Sequence, residues 1–158
     1  MNRIAMQKIT PCLWFDTQAE EAAKFYVSVF PHSRIKQVTH YGDTGPGRKG
    51  SVMTVAFELD GQAFLGLNGG PQFKFSYAVS MMVNCETQAE LDAMWDKLSA
   101  GGATERCGWL RDKYGLSWQI VPAILPQLMQ DAAASERVMK EVVKMEKLDI
   151  AVMQKAAA

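Results

Sequence analysis

The sequence predicts an α+β protein: two βαβββ modules forming a curved mixed sheet around a cleft, the second module shortened, with C-terminal helices added. Three observations predict it. The tetrapeptide Thr-Gln-Ala-Glu stands at residues 17–20 and again at 87–90, an offset of 70, each time after an apolar run and before an amphipathic stretch. The segment GQAFLGL at 61–67 matches GLSWQIV at 115–121, an offset of 54. The second copy is therefore 16 residues shorter, and the loss falls on its middle strands. A lone copy would leave one sheet face and two edges exposed, whereas paired copies can curl around a cleft with helices outside.

The elements follow in order. Residues 8–15 read as a strand, with Leu13 and Phe15 on one face and Thr10, Cys12 and Trp14 on the other. Thr17 and Glu20 have capping-box spacing, and the helix they open is stopped by Pro31. Its apolar positions Ala22, Phe25, Tyr26 and Val29 recur at three- and four-residue spacing. A strand over 33–41 leads to residues 42–50, where four glycines and a proline predict a loop. Strands over 51–59 and 62–67 flank Asp60-Gly61, a hairpin turn signal. The second module begins near Phe75 with a strand over 76–83. A helix over 88–98 follows, with Leu91, Met94, Trp95 and Leu98 as its stripe. Only 103–112 is left for two strands before the last, over 116–121. Beyond Pro122 the pattern turns helical, over 125–132, 136–148 and a frayed stretch to 157. Val138, Val142, Val143, Met145 and Leu148 there need a surface to pack on, either the sheet edge or a second subunit. The domain reading is thus one domain over 1–158, with modules at 8–70 and 75–122 and an extension over 123–158.

Composition narrows the function. Basic and acidic residues balance at 17 each, which disfavours nucleic acid as a partner. No apolar run approaches 18 residues, so no membrane partner is expected. The first residues show no secretory pattern, and three widely spaced cysteines form no scaffold or metal knuckle. A cytoplasmic protein is the expectation. Ten Met and four Trp are a high load, serving a core, an interface or an apolar cavity. With the apolar tail, they predict a homodimer.

Three stretches of the first half carry a resemblance: Pro11-Cys12-Leu13-Trp14-Phe15, the helix start from Ala19 to Tyr26, and Val29-Phe30-Pro31. The second half adds Val83-Asn84-Cys85, Trp95, Leu98, Gly101-Gly102, and the long stretch from Cys107 to Pro122. On these the chain, over about residues 6–123, resembles the glyoxalase/bleomycin-resistance superfamily, the vicinal oxygen chelate proteins. It is more closely similar to the PhnB-like branch, whose domain is labelled 3-demethylubiquinone-9 3-methyltransferase. In metal-using members, His, Glu or Gln on the first and last strands of each module hold a divalent ion. The family's Asp–Gly–Glu pattern falls here on Asp112 and then Gln119, and the repeat places Leu65 opposite Gln119. The first strands offer Thr10 or Cys12, and Ser80, Met82 or Asn84, while His32 and His40 flank the second strand. A divalent ion wants charged or imidazole ligands, so no metal and no cofactor are expected.

Strand parity predicts a pocket lined by Thr10, Cys12, Trp14, Leu65, Ser80, Met82, Asn84, Ser117 and Gln119, with Val79, Met81 and Val83 turned toward the helices. Arg48 and Lys49 on the glycine loop are candidates for a flap over an anionic ligand, against plain solvated charges. The loop lacks P-loop spacing and precedes a strand. Cys107 reads as a packing residue, and Arg111, Asp112 and Lys113 as a turn held by ion pairs. Methyl transfer would need a glycine-rich strand-to-helix loop in a parallel sheet, which this pattern lacks. The expected function is metal-independent binding of a small organic ligand. The alternative is a lyase, isomerase or dioxygenase-like enzyme with an atypical metal site.

Overall fold

A computed structural model describes residues 7–158, so the reading of the first six residues lies outside it. The chain divides into two compact units, with the division between Lys74 and Phe75.

In the first unit, β1 (Cys12–Phe15), α1 (Ala19–Val29), β2 (Arg34–His40), β3 (Val52–Leu59) and β4 (Gln62–Asn68) build a mixed sheet of order β1-β4-β3-β2. β1 and β4 run parallel, with Cys12 opposite Leu65 and Phe15 opposite Asn68. A parallel pair needs a crossover, and α1 supplies it. Its stripe of Ala19, Ala22, Ala23, Tyr26 and Val29 is buried. Tyr26 stacks on Phe57, which stacks on Phe64, with ring centroids 6.3 and 5.4 Å apart. The predicted hairpin is present: Asp60 and Gly61 both have positive φ, 47° and 80°, and join Leu59 to Gln62.

The second unit repeats the plan. β5 (Ser80–Cys85), α2 (Gln88–Ser99), β6 (Ala103–Thr104), β7 (Trp109–Arg111) and β8 (Ser117–Pro122) form a sheet of order β5-β8-β7-β6. β5 and β8 are the parallel pair, with Met82 opposite Gln119. That pair is the image of Cys12–Leu65 under the two offsets. The missing residues do come out of the middle, since β6 and β7 have only two and three residues. The first strand starts four residues later than the alternation suggested. Val79 precedes it and is 65% exposed instead of covered by a helix.

The helix caps differ between the copies. Thr87 accepts from the Glu90 amide at 3.1 Å, as its spacing predicts. Thr17 caps nothing. Gln18 takes the cap position without a side-chain bond, and the Ala19 amide is instead met by Asn68 Oδ1 at 2.8 Å. Asn68 Nδ2 also donates to the Val52 carbonyl at 3.1 Å, and its own carbonyl accepts from the Tyr41 hydroxyl at 2.5 Å. The residue that the 54-residue offset places at 122 is proline, whose side chain has no donor or acceptor. The second helix must therefore be capped from within the motif.

The turn between β7 and β8 is held by a carboxylate. Asp112 Oδ1 accepts from the amides of Tyr114 and Leu116, at 2.8 and 3.1 Å. Its Oδ2 accepts from Trp118 Nε1 at 2.9 Å. Arg111 pairs with Glu105 at 2.8 Å instead.

The C-terminal helices are α3 (Leu125–Leu128), α4 (Ala132–Val142) and α5 (Ile150–Ala157). The expected helix over 136–148 starts earlier and breaks after Val142. Asp131 and Asp149 cap α4 and α5. Between them, the carbonyls of Met145 and Glu146 accept from the amides of Cys107 and Gly108, each at 2.8 Å. Gln88 clamps the same turn, donating to the Leu148 carbonyl at 3.1 Å and accepting from the Ile150 amide at 2.8 Å. Val138, Val142, Leu148 and Met153 are buried by this docking, while Val143 stays 49% exposed.

These caps define a test by urea unfolding. Thr87→Ala is expected to cost about 1 kcal/mol, and Thr17→Ala less than about 0.5 kcal/mol. Asn68→Ala, which loses a cap and a buried carbonyl's partner, is expected to cost about 2 to 3 kcal/mol. Equal losses for the two threonines would refute the asymmetry.

Candidate functional site

Side chains of directly opposed residues share a sheet face, so the registers sort the candidates. In the first unit, Leu13 and Phe15 lie on the α1 side, and Cys12 and Trp14 on the other, beside Leu65 and Leu67 of β4 and Ala56 and Thr54 of β3. Thr10 precedes the strand, and its hydroxyl donates to the Gln7 carbonyl at 2.9 Å. Trp14 Nε1 donates to the Gly70 carbonyl at 2.9 Å, and its ring lies edge-on to Phe73, with centroids 5.1 Å apart. Any Cβ on Gly69 would stand 2.2 Å from the indole, so only glycine fits beneath it. The carboxylate on this face, Glu58, is already matched by Lys36 at 2.8 Å and Arg34 at 3.1 Å. The bond from Lys36 holds it below the usual carboxylate range.

In the second unit, Met81 and Val83 share the α2 side with Trp118 and Ile120. The opposite face presents Ser80, Met82 and Asn84 from β5, Ser117 and Gln119 from β8, and Trp109 and Arg111 from β7. Gln119 Nε2 donates to Ser80 Oγ at 2.9 Å. Met82 is exposed at 55%. Ser117 is completely buried, and its hydroxyl is the one buried side-chain oxygen or nitrogen among the described residues with no hydrogen-bond partner. The sequence marked Ser117 as a lining residue, but only the packing reveals that its hydroxyl is orphaned.

Tyr77 is a feature that the sequence reading missed. Its hydroxyl donates to Glu105, its ring lies under the Arg111 guanidinium at 5.5 Å, and it contacts Trp109. The bond to Glu105 pushes the phenol above its ordinary range. Arg111 is thus fixed beside Ser117, its register partner, by a carboxylate and an aromatic face. The signal was weak, because Tyr77 lies in a loop with no motif around it.

The two flap candidates part ways. Lys49 pairs with Asp43 at 2.7 Å on an exposed surface. Arg48 lines a separate cleft within the first unit.

The superfamily's ion would be held at the paired positions Cys12 and Leu65, or Met82 and Gln119. These offer a thiol, an alkyl group, a thioether and an amide, and burial pushes the Cys12 thiol up, toward its protonated form. No group of three or more His, Cys, Asp or Glu among the described residues could hold a metal ion. Asp112, on the family's pattern, has its oxygens committed to the β7–β8 turn. The residues at these positions do not fit a divalent ion.

Residues 7–121 match the family described as 3-demethylubiquinone-9 3-methyltransferase. The chain belongs to that family. Its fold is that of the glyoxalase/bleomycin-resistance superfamily, in the PhnB-like branch. The PhnB protein of Bacillus cereus, described with the same methyltransferase name, is 40% identical with a TM-score of 0.67; the match covers 73% of this chain and 98% of that one. Protein PA1353 from Pseudomonas aeruginosa is 19% identical with a TM-score of 0.61, covering 74% and 97% of the two chains. The fosfomycin resistance protein FosX of Mesorhizobium loti is 13% identical with a TM-score of 0.54, covering 80% and 100%. These last two share the fold alone. No curated protein matches the sequence. Among the described residues, no helix of this PhnB-like protein is long and apolar enough to cross a membrane.

The cysteines give this subsection its prediction. Burial, with the Glu90 charge adding to it, pushes the Cys85 thiol up to about 12. It stays protonated at pH 8, so iodoacetamide should leave Cys85 unmodified in the folded protein and label it after denaturation. An unfolded thiol ionises near pH ~8.5, so the folded state holds the extra proton above that pH. The contribution to stability is complete below about pH 8.5 and is lost as pH rises further. Labelling of folded Cys85 at pH 8 would contradict the assignment.

Proposed function

We propose that this PhnB-like protein binds a small organic molecule on the faces of its sheets turned away from α1 and α2, without a metal ion. The residues proposed to line the site are Thr10, Cys12, Trp14 and Leu65 in the first unit and Ser80, Met82, Asn84, Ser117 and Gln119 in the second. The observation that carries the reading is the Ser117 hydroxyl. A buried hydroxyl without a partner costs about 1 to 3 kcal/mol, and such groups are rare in native proteins. This one sits on a strand face between Ser80 and Arg111 in register. A ligand hydroxyl, carbonyl or carboxylate would satisfy it, with the fixed Arg111 guanidinium and the Gln119–Ser80 pair as further hydrogen-bonding groups.

The reading supplies binding and orientation and assigns no bond-making step. The family's methyltransferase name does not carry methyl transfer to this chain. The β1–α1 turn, Asp16-Thr17-Gln18, has no glycine, and each sheet has a single parallel pair, so nothing resembles a dinucleotide-type cofactor loop. The three free cysteines support a reducing, cytoplasmic setting. A homodimer is part of the proposal, supported by the exposed Val79 and Met82 beside the free edge of β5.

Ser117→Ala separates a binding hydroxyl from a packing defect. In ligand-free protein the substitution is expected to raise stability by about 1 kcal/mol, because an unsatisfied group is removed. In non-denaturing mass spectrometry against a small-molecule fragment library, it is expected to lose the adducts that the wild type holds. Wild-type protein that binds no fragment, or adducts that survive both Ser117→Ala and Gln119→Leu, would remove the proposal. Light scattering is expected to give about twice the 17.5 kDa chain mass. A monomer at all concentrations would refute the dimer.

A further inference from the structure

The cleft beside Arg48 is separate from the sheet faces just discussed. Loop residues 46–48, the turn from β1 into α1 and the segment 68–72 line this open cleft of about 450 Å³ within the first unit. That volume suits a small organic ligand. Its loop wall is anchored at the root. The Tyr41 amide donates to the Ser51 carbonyl, and the Gly50 amide to the Tyr41 carbonyl, each at 2.8 Å. The Tyr41 ring is buried flat against the loop, where a Cβ on Gly47 would come within 2.1 Å of it. The loop's own glycines stay free to adjust while both ends are held.

The cleft carries both signs of charge. Arg48 and Asp16 both line it, and among the described residues neither side chain has a hydrogen bond or an ion pair. Lys49, the neighbour of Arg48, is instead paired with Asp43 outside the cleft. Glu20 adds a second carboxylate to the lining, with Lys24 bonded to it at 2.9 Å on the helix side. Thr17, released from the capping role that its spacing suggested, and Gln72 supply uncharged groups.

A purely anionic ligand would meet Arg48 but be repelled by Asp16 and Glu20. A purely cationic one would be drawn to the carboxylates but repelled by the Arg48 guanidinium. We infer that this cleft is a binding site for a small zwitterion, an ammonium carboxylate. Its ammonium is held on the Asp16, Thr17 and Glu20 side, and its carboxylate by the Arg48 guanidinium. Arginine suits the second role because its planar fork grips a carboxylate with two bonds.

Calorimetric titration of the full chain with glycine, β-alanine, 4-aminobutyrate, 5-aminovalerate and the common L-amino acids tests the inference. The tightest of these is then compared with the amine and the carboxylate of the same skeleton. The zwitterion should bind at least about tenfold more tightly than either single-charge analogue. Arg48→Ala should weaken it by roughly ten- to hundredfold, down to the affinity of the amine. Asp16→Asn should lower it toward that of the carboxylate. Because Arg48 and Asp16 have no partners to lose, thermal unfolding of both variants should match the wild type. No binding by any zwitterion would overturn the inference. So would a single-charge analogue that binds as tightly, or affinity that survives Arg48→Ala.

Discussion

Everything in each unit depends on one constraint, the parallel pairing of its first strand with its last. Two parallel strands cannot be joined by a tight turn, so the chain must leave the sheet, cross it as a helix and return. The helix then covers one face, and the register of the pair decides which residues stay on the other. In the first unit the pair is closed at its end by Asn68, which belongs to β4 yet caps α1 and receives the Tyr41 hydroxyl through its carbonyl. One side chain thus ties the last strand, the crossover helix and the root of the glycine loop. In the second unit the same position is Pro122, and the tie passes to Thr87 and, through Gln88, to the C-terminal helices.

That exchange explains which parts of the fold were legible. The repeat, the shortening, the Asp60-Gly61 hairpin and both helix stripes are written in local spacing, and local spacing is enough where burial follows periodicity. The role of Thr17 was not legible. Its motif is identical to that of Thr87, and the difference lies 51 residues away, in an asparagine on a neighbouring strand. The break after Val142 was hidden for a similar reason. The apolar spacing there continues, but the turn at Met145 and Glu146 is docked through its carbonyls on the amides of Cys107 and Gly108. Tertiary partners overrule local preference in both cases. At the candidate site, strand parity sorted the side chains into faces, but it could not tell a satisfied hydroxyl from an orphaned one.

The repeat also bears on the chemistry. Because the two parallel pairs are images of one another, the positions where related folds hold an ion are also paired, and here they hold Cys12 with Leu65 and Met82 with Gln119. Sulfur beside an alkyl group in the first unit, and sulfur beside an amide in the second, suit an organic molecule better than a hard cation. The carboxylate on the first unit's open face and the one on the family's pattern are spent elsewhere. Glu58 balances two cations, and Asp112 closes a turn with three donors. Family membership therefore carries the fold to this chain, while its side chains decide the chemistry.

A general criterion separates the polar groups that hold this protein together from those open to a ligand. Asn68 and Asp112 are buried with their hydrogen-bonding capacity used in several directions, as a structural role demands. Ser117 is as well buried and uses none of its side-chain capacity. Arg48 and Asp16 are exposed, and they line one cleft with opposite charge. A core hydroxyl left unsatisfied has free energy still to be gained, and opposite charges facing a shared cleft offer a ligand of matching charge both of its partners. By that measure the two proposed places for a small molecule are distinct, one on the β8 face and one beneath the glycine loop. They ask for different chemistry: a hydrogen-bonding group at the first, and both signs of charge at the second.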